Sequence, residues 1–208
     1  MTPQQRWALW VTAAVAALAF VAVLMATLHP GVTAFDHATK DAVRAARHPL
    51  LQRPMKTLNR LGSGDVQLPL AVVACAVVWR RHRRLAYSVA VVSVTTVAGV
   101  AALKWLIGKP RPSMSAYGFP SGHVVGTLVF SGVLLYLLWV FAVARRWQVV
   151  AGIGGALLTF GVAYSRLYVN AHWLTDVLGG MTAGITATTL AWLFMDVQLA
   201  DEPGVGSG

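Results

Sequence analysis

The sequence predicts an all-α integral membrane protein, a bundle of six transmembrane helices with short amphipathic helices in the first loop. Three observations lead there. Hydrophobic residues make up 57% of the 208 and charged residues 12%, about half the roughly 25% usual in soluble proteins. The mean hydropathy is +0.63. Six apolar runs come close to or exceed the ~20 residues a helix needs to cross the hydrocarbon core. So few charges cannot solvate a globule with this much apolar material, which excludes a disordered, collagen-like or ordinary cytosolic chain.

The first run, Trp7–Leu28, is long for the apolar part of a secretory leader. No clear small-x-small cleavage site precedes His29 and Pro30, so it is expected to be retained as a span. The second, Leu61–Trp79, is the weakest because its unbroken apolar part is short and contains Gln67 and Pro69. Proline near a membrane helix end is tolerated where neighbours satisfy the freed carbonyl. Leu85–Ile107, Val124–Val143, Val149–Val169 and Leu174–Val197 follow. Between the first two runs, Gly31–Arg60 mixes Phe35, Val43, Leu50 and Met55 with Lys40, Arg44, Arg47 and Arg53, and is broken by Pro49 and Pro54. This reads as short amphipathic helices on the bilayer surface. Gly152, Gly155, Gly180 and Gly184, three or four residues apart on the last two runs, allow close helix packing. Residues 1–200 form one domain in this reading, and 201–208 a disordered tail. Cys75, the single cysteine, sits in an apolar run as a small core residue and forms no intrachain disulfide.

Seventeen Lys and Arg against seven Asp and Glu give a net charge of +10. The cations are scattered between the apolar runs, which suits anionic headgroups or phosphorylated substrates and not nucleic acid. With the amino terminus in the cytoplasm, seven cations lie inside and ten outside, a count opposed to the positive-inside rule. Setting aside Lys104, Arg111 and Arg166 as site residues ties the score at seven each. Density decides for a cytoplasmic Arg80-Arg81-His82-Arg83-Arg84 turn, with both termini cytoplasmic.

Counting spans then puts the end of the third, the start of the fourth, the end of the fifth and the start of the sixth on one face, and the informative polar residues are all there. Lys104 and Arg111 are seven apart and share a face if the helix persists until Pro110 and Pro112 stop it. The fourth span is entered through Pro120-Ser121-Gly122-His123. Ser165-Arg166 ends the fifth, and His172 follows, with Asp176 four residues on and so on the same helical face. Alone, Lys104 would be a snorkelling cation and His172 with Asp176 a satisfied helix pair. Together, three cations, two histidines, a carboxylate and a Gly-Ser turn at one membrane face are a functional site. The chemistry that wants this set is phosphoryl transfer. The cations can bind three non-bridging oxygens, while Ser121 and the amides of Gly122 and His123 add hydrogen bonds at a helix start. One histidine attacks phosphorus and the other protonates the leaving oxygen, with Asp176 holding the nucleophilic imidazole in its tautomer. No metal or other cofactor is required.

Lys104-x6-Arg111-Pro112, Pro120-Ser121-Gly122-His123 and Ser165-Arg166-x5-His172-x3-Asp176 resemble the three-part signature of the type 2 phosphatidic acid phosphatase (PAP2) superfamily, and every motif position matches. The resemblance extends to the six-span layout, roughly from Trp7 to Val197. It implies a membrane lipid phosphatase in which His172 is the nucleophile that forms a phosphohistidine, His123 the general acid and Asp176 the orienting carboxylate. Lys104, Arg111, Ser121, Gly122 and Arg166 would be phosphate ligands. It also implies a site on the periplasmic or extracellular face of the inner (plasma) membrane. Some undecaprenyl-diphosphate phosphatases of this superfamily carry Asp where Gly122 stands, so the sequence leans toward phosphatidylglycerophosphate and phosphatidate. The expected partners are a lipid phosphate substrate and the bilayer. Three other readings share the residues: a vanadium-dependent haloperoxidase, opposed by the six spans; a phosphotransferase that passes phosphate to another lipid; and a lipid or anion transporter, which has no need of an oriented nucleophile.

Overall fold

A computed structural model of the chain describes residues 1–114 and 116–200; the expected disordered tail, 201–208, lies outside the described residues. Among the described residues there are eight helices: α1 (Pro3–Ala26), α2 (Pro30–Ala45), α3 (Pro49–Leu61), α4 (Gly64–Trp79), α5 (Arg83–Ile107), α6 (Gly122–Val140), α7 (Arg145–Tyr168) and α8 (Leu174–Ala200). The one β-type pairing among those residues is an isolated antiparallel bridge between Pro110 and Tyr117. The chain is all-α.

Proline starts three of the helices. Pro3, Pro30 and Pro49 occupy first-turn positions, where the missing N–H has no intrahelical acceptor to lose. Thr2 caps α1 through a reciprocal pair with Gln5. His29 and His48 accept from the amides of Gly31 and Leu50 and cap α2 and α3. Pro54, expected to break the first loop, instead lies inside α3. It removes only the hydrogen bond to the carbonyl of Leu50, in the first turns of the helix.

Five helices, α1, α5, α6, α7 and α8, are long and apolar enough to cross a membrane. The second expected run begins at Gly64 rather than Leu61, and α4 has 16 residues, about 24 Å at 1.5 Å per residue. That is short of the ~30 Å core. Helices α3 and α4 together pass the same test, but they meet at a 46° bend.

Helix α8 packs against α1, α5 and α6, α6 packs on α7, and α4 on α5. The main core gathers Leu85, Val89, Val129, Val133, Tyr136 and Met195 from α5, α6 and α8. Cys75 is partly buried against it. Leu18, Val72, Val94, Leu157 and Phe160 face outward and are more than 60% exposed, as suits a molecule whose solvent is lipid. The expected small-residue contacts form at three of four glycines. Gly155 meets Ser131, Gly184 meets Leu128, and a Cβ on Gly180 would stand 2.9 Å from the carbonyl oxygen of Ser121. Gly152 is more open, with its nearest neighbour, Leu135, at 3.9 Å. Gly180 thus brings α8 against the first residue before α6, the turn on which the site is built.

Candidate active site

The site lies where α5, α7 and α8 end or begin beside the start of α6. Helix α5 stops at Gly108, whose φ of 64° is the left-handed conformation that glycine adopts freely. The helix therefore does not persist to Arg111, and the expected shared helical face of Lys104 and Arg111 is replaced by a turn. The chain doubles back as a small hairpin: Arg111 N–H bonds Ala116 O at 3.0 Å and Gly118 N–H bonds Lys109 O at 2.7 Å. Arg111 is held by its own Nε donating to Tyr117 O at 3.2 Å. The indole of Trp173 donates to Pro110 O at 3.0 Å and fastens this hairpin to the entrance of α8.

Ser121 is the N-cap of α6, as its Pro-Ser-Gly setting predicted, but its hydroxyl makes no capping bond. That hydroxyl is fully buried and has no hydrogen-bond partner. A buried hydroxyl without a partner costs stability unless a ligand supplies one. The N–H of Ser121 donates to the carbonyl of Asp176 at 2.9 Å, so the starts of α6 and α8 share a backbone hydrogen bond. Lys104 Nζ lies 3.8 Å from the point a Cβ would occupy on Gly122.

His172 precedes α8 rather than lying on it, yet its pairing with Asp176 forms, Nδ1 to Oδ2 at 3.2 Å. The reason is a helix start: Asp176 reaches back three residues and accepts Trp173 N–H at 3.1 Å, the carboxylate half of a capping box. His172 is 3% exposed and Asp176 fully buried. Burial pushes the imidazole pKa of His172 down to about 4, with the Asp176 hydrogen bond acting in the opposite direction. Near neutral pH it is therefore uncharged, and with Nδ1 facing Asp176 its free nitrogen is Nε2.

Arg166, in the last turn of α7, is buried; its guanidinium bonds the side-chain oxygen of Asn59 and leaves Nε without a partner. The charges of Lys104, Arg111 and Arg166 act on one another, and all three act on His123 along with His172. The structure thus gathers all eight expected residues at one end of the bundle. A cleft of about 170 Å³ opens beside them between α4, α5 and α6, lined by Gly62, Gln67, Thr96, Val100, Gly122 and His123. Among the described residues no group of three His, Cys, Asp or Glu side chains converges as metal ligands would.

Three residues at the site were missed by the sequence reading. Lys109 places its ammonium 3.2 Å from Asp176 Oδ1 and 3.2 Å from Asp36 Oδ2. Asp36, buried on α2, also accepts the backbone N–H of Thr175 at 3.0 Å. Asn59 of α3 holds Arg166. Lys109 sits inside the Lys104–Arg111 segment and could have been singled out there. Asp36 carries only a weak signal, an acid in a basic loop, and Asn59 none.

The model of the PAP2 superfamily matches residues 81–199, more than half of the chain and every residue of the eight. The chain belongs to the PAP2 superfamily. Phosphatidylglycerophosphatase B of Bacillus subtilis is 28% identical over 177 residues, covering 80% of this chain and 86% of the relative. An undecaprenyl-diphosphatase of Sulfolobus acidocaldarius is 27% identical over 158 residues, covering 70% and 68%. In three dimensions the chain is similar to the crystal structure of a transmembrane PAP2-type phosphatidylglycerolphosphate phosphatase from Bacillus subtilis. The TM-score is 0.84 at 25% identity, over 89% of this chain and 96% of that one. As a PAP2 protein the chain is a multi-pass membrane protein and a hydrolase of the phosphatase class.

Proposed function

We propose that this PAP2 protein hydrolyses lipid phosphate monoesters or diphosphates through a phosphohistidine on His172. The observation that carries the reading is a buried, neutral His172, oriented by Asp176 and set among Lys104, Arg111 and Arg166 beside an unpartnered Ser121 hydroxyl. Nε2 of His172 attacks phosphorus, the bond from phosphorus to the lipid oxygen breaks, and His123 gives that oxygen a proton. Water then attacks the phosphohistidine, His123 takes the proton from it, and phosphate leaves with Nε2 restored. Charge on the transferring group is stabilised by the three cations, by Ser121 and by the amides of Gly122 and His123 at the positive end of α6.

In this reading residues 1–200 are one membrane unit. The bent α3–α4 pair supplies the sixth span, and α2 with the start of α3 lies at the bilayer surface. Lys109, held between two carboxylates, joins Lys104, Arg111 and Arg166 as a cation committed to the site. The positive-inside count then becomes seven inside against six outside, which supports cytoplasmic termini and a site on the periplasmic or extracellular face of the inner membrane. Cysteines introduced at Ala116 and Asn170 in a Cys75→Ser background should react with an impermeant thiol reagent from outside cells, and one at His82 should not.

The phosphate sits at helix ends, at headgroup depth, with the lipid tail still in the bilayer. Glycerophospholipids come first among substrates: an Asp at position 122 would face Lys104 Nζ, whereas Gly122 leaves that ammonium to the substrate. The test is phosphate release in detergent from phosphatidylglycerophosphate, phosphatidate, undecaprenyl diphosphate and a water-soluble aryl phosphate at matched surface concentration. The lipids should be hydrolysed within about two orders of magnitude of one another. A soluble ester that equals the best lipid would overturn the interfacial site. Orthovanadate should inhibit and EDTA should not, since the chain's own cations do the electrostatic work.

A further inference from the structure

The Lys109 side chain is 18% exposed; its ammonium hydrogen-bonds Asp36 Oδ2 at 3.2 Å and Thr175 Oγ1 at 2.5 Å and forms an ion pair with Asp176 Oδ1 at 3.2 Å, an oxygen that has no hydrogen-bond partner. Thr175 in turn donates its hydroxyl to Asp36 Oδ2 at 2.6 Å and its amide to Asp36 Oδ1 at 3.0 Å. Both carboxylates are buried, Asp36 at 4% and Asp176 at 0% exposure. Each oxygen of Asp176 thus has its own business, Oδ1 with Lys109 and Oδ2 with His172 Nδ1 and Trp173 N–H.

We infer that Lys109, anchored by Asp36 of the first loop, is a positioning residue that keeps Asp176 ionised and aimed at His172. The inference rests on the reading of His172 as nucleophile. Two buried carboxylates beside one lysine carry a net charge of −1, which an imidazolium forming on His172 neutralises. Without the lysine the pair would carry −2, and one carboxylate would take up a proton, as close carboxylates do. A protonated Asp176 no longer stabilises a cation on His172. Other charged and titratable groups also bear on the pair. Lys104 of α5 acts on both Asp176 and His172, Arg166 of α7 acts on His172, and His123 of α6 and His172 act on each other. Arg111 flanks Asp176 at Gly118. His37 and Lys40 of α2 pack on the Trp173 ring. Lys109 differs from these cations in its direct ion pair with Asp176 and in its hydrogen bonds to Asp36 and Thr175.

Turnover of phosphatidate in mixed micelles, measured from about pH 2.5 to 8 with the full chain so that both sides of a limb near the lowered His172 pKa of about 4 are covered, tests this by the direction in which the acid limb of kcat moves. Removing the cation with Lys109→Met should lower kcat at least about tenfold, leave KM within about twofold, and move the limb up by about one pH unit, the shift expected of one opposite charge at contact. Asp36→Asn removes the competing anion while its amide oxygen still accepts from Thr175, and should move the limb down. Lys109→Arg should restore most of kcat. The double variant Lys109→Met with Asp36→Asn should bring the limb back toward that of the unaltered protein, a recovery that a merely structural lysine would not show. If Lys109→Met does not fold, the direction of the Asp36→Asn shift decides, and a limb that stays or moves up overturns the inference. So does a Lys109→Met protein with an unmoved limb and full kcat while His172→Ala is inactive. An active His172→Ala protein would instead remove the phosphohistidine reading itself.

Discussion

Helix α8 carries two buried aspartates near its opposite ends, and they do different things. Asp196, 4% exposed, is paired at 2.9 Å with the amino group of Met1 and at 2.8 Å with Arg6, both on or beside α1. Asp176, fully buried, divides itself between Lys109 and His172. The first carboxylate joins an amino group and a guanidinium, neither of them placed at the site, and ties α1 to α8. The second has an ammonium and an imidazole as partners, and in the proposed reaction the charge of that imidazole changes when its other nitrogen takes phosphorus. In sequence both are single acids in an apolar stretch. Burial does not separate them; the chemistry of the partner does.

The comparison breaks first at its most sensitive point. His172→Ala and His123→Ala should each cost 10²–10⁴-fold or more in turnover, the range usual for acid–base groups, with the melting temperature nearly unchanged. A His172→Ala protein with half its activity would make Asp176 no more chemical than Asp196. Asp176→Asn comes next, at roughly 10²-fold in kcat, because the amide keeps the shape of the carboxylate and loses its charge. The pH profile sharpens the contrast. Burial lowers the pKa of His172 to about 4, so the uncharged imidazole that the proposed reaction needs persists as pH falls from 7 to 5 and is lost as pH passes through about 4. An acid limb near 6.5, where an ordinary histidine titrates, would show that the imidazole is not so buried in solution. At the other end, Asp196→Asn should leave turnover within about twofold and cost about 1–3 kcal/mol in stability, since the hydrogen bonds to Arg6 and the amino group are weakened. Arg6→Gln is the smallest change. Its side chain is 45% exposed, so solvent screens the pair and less than about 1 kcal/mol should be lost.

Five of the six apolar runs can be read from the sequence because lipid leaves an unmistakable run of apolar residues. Their ends are less legible. Helix α7 begins at Arg145 and α5 at Arg83, inside charged turns that hydropathy assigns to the loop. A helix is ended by capping and backbone conformation, as at Gly108, not by a change of polarity. The second expected run, the weakest in sequence, is the one that passes the length test only when α4 is taken together with α3 across a bend. Within the site, what sits close in the chain was legible. His172 and Asp176 meet because one helix start places them four residues apart, although the cap geometry, and not a shared helical face, joins them. What arrives from elsewhere was not. Asp36 reaches Thr175 across 139 residues and Asn59 reaches Arg166 across 107. Such pairings have no period and no motif, and both partners lie on helices before residue 81, outside the family match.

The hydrogen bond from Ser121 N–H to the carbonyl of Asp176 bears on time as well as on place. It couples the turn that would grip phosphate in the proposed reaction to the helix start that aims His172, so the two are tied together by the backbone. A site joined in this way has little to rearrange when a headgroup arrives. In the proposed reaction, slow steps outside the chemistry would then be the arrival of a lipid at the cleft and the departure of its dephosphorylated product, and membrane fluidity would enter the enzyme's clock through them.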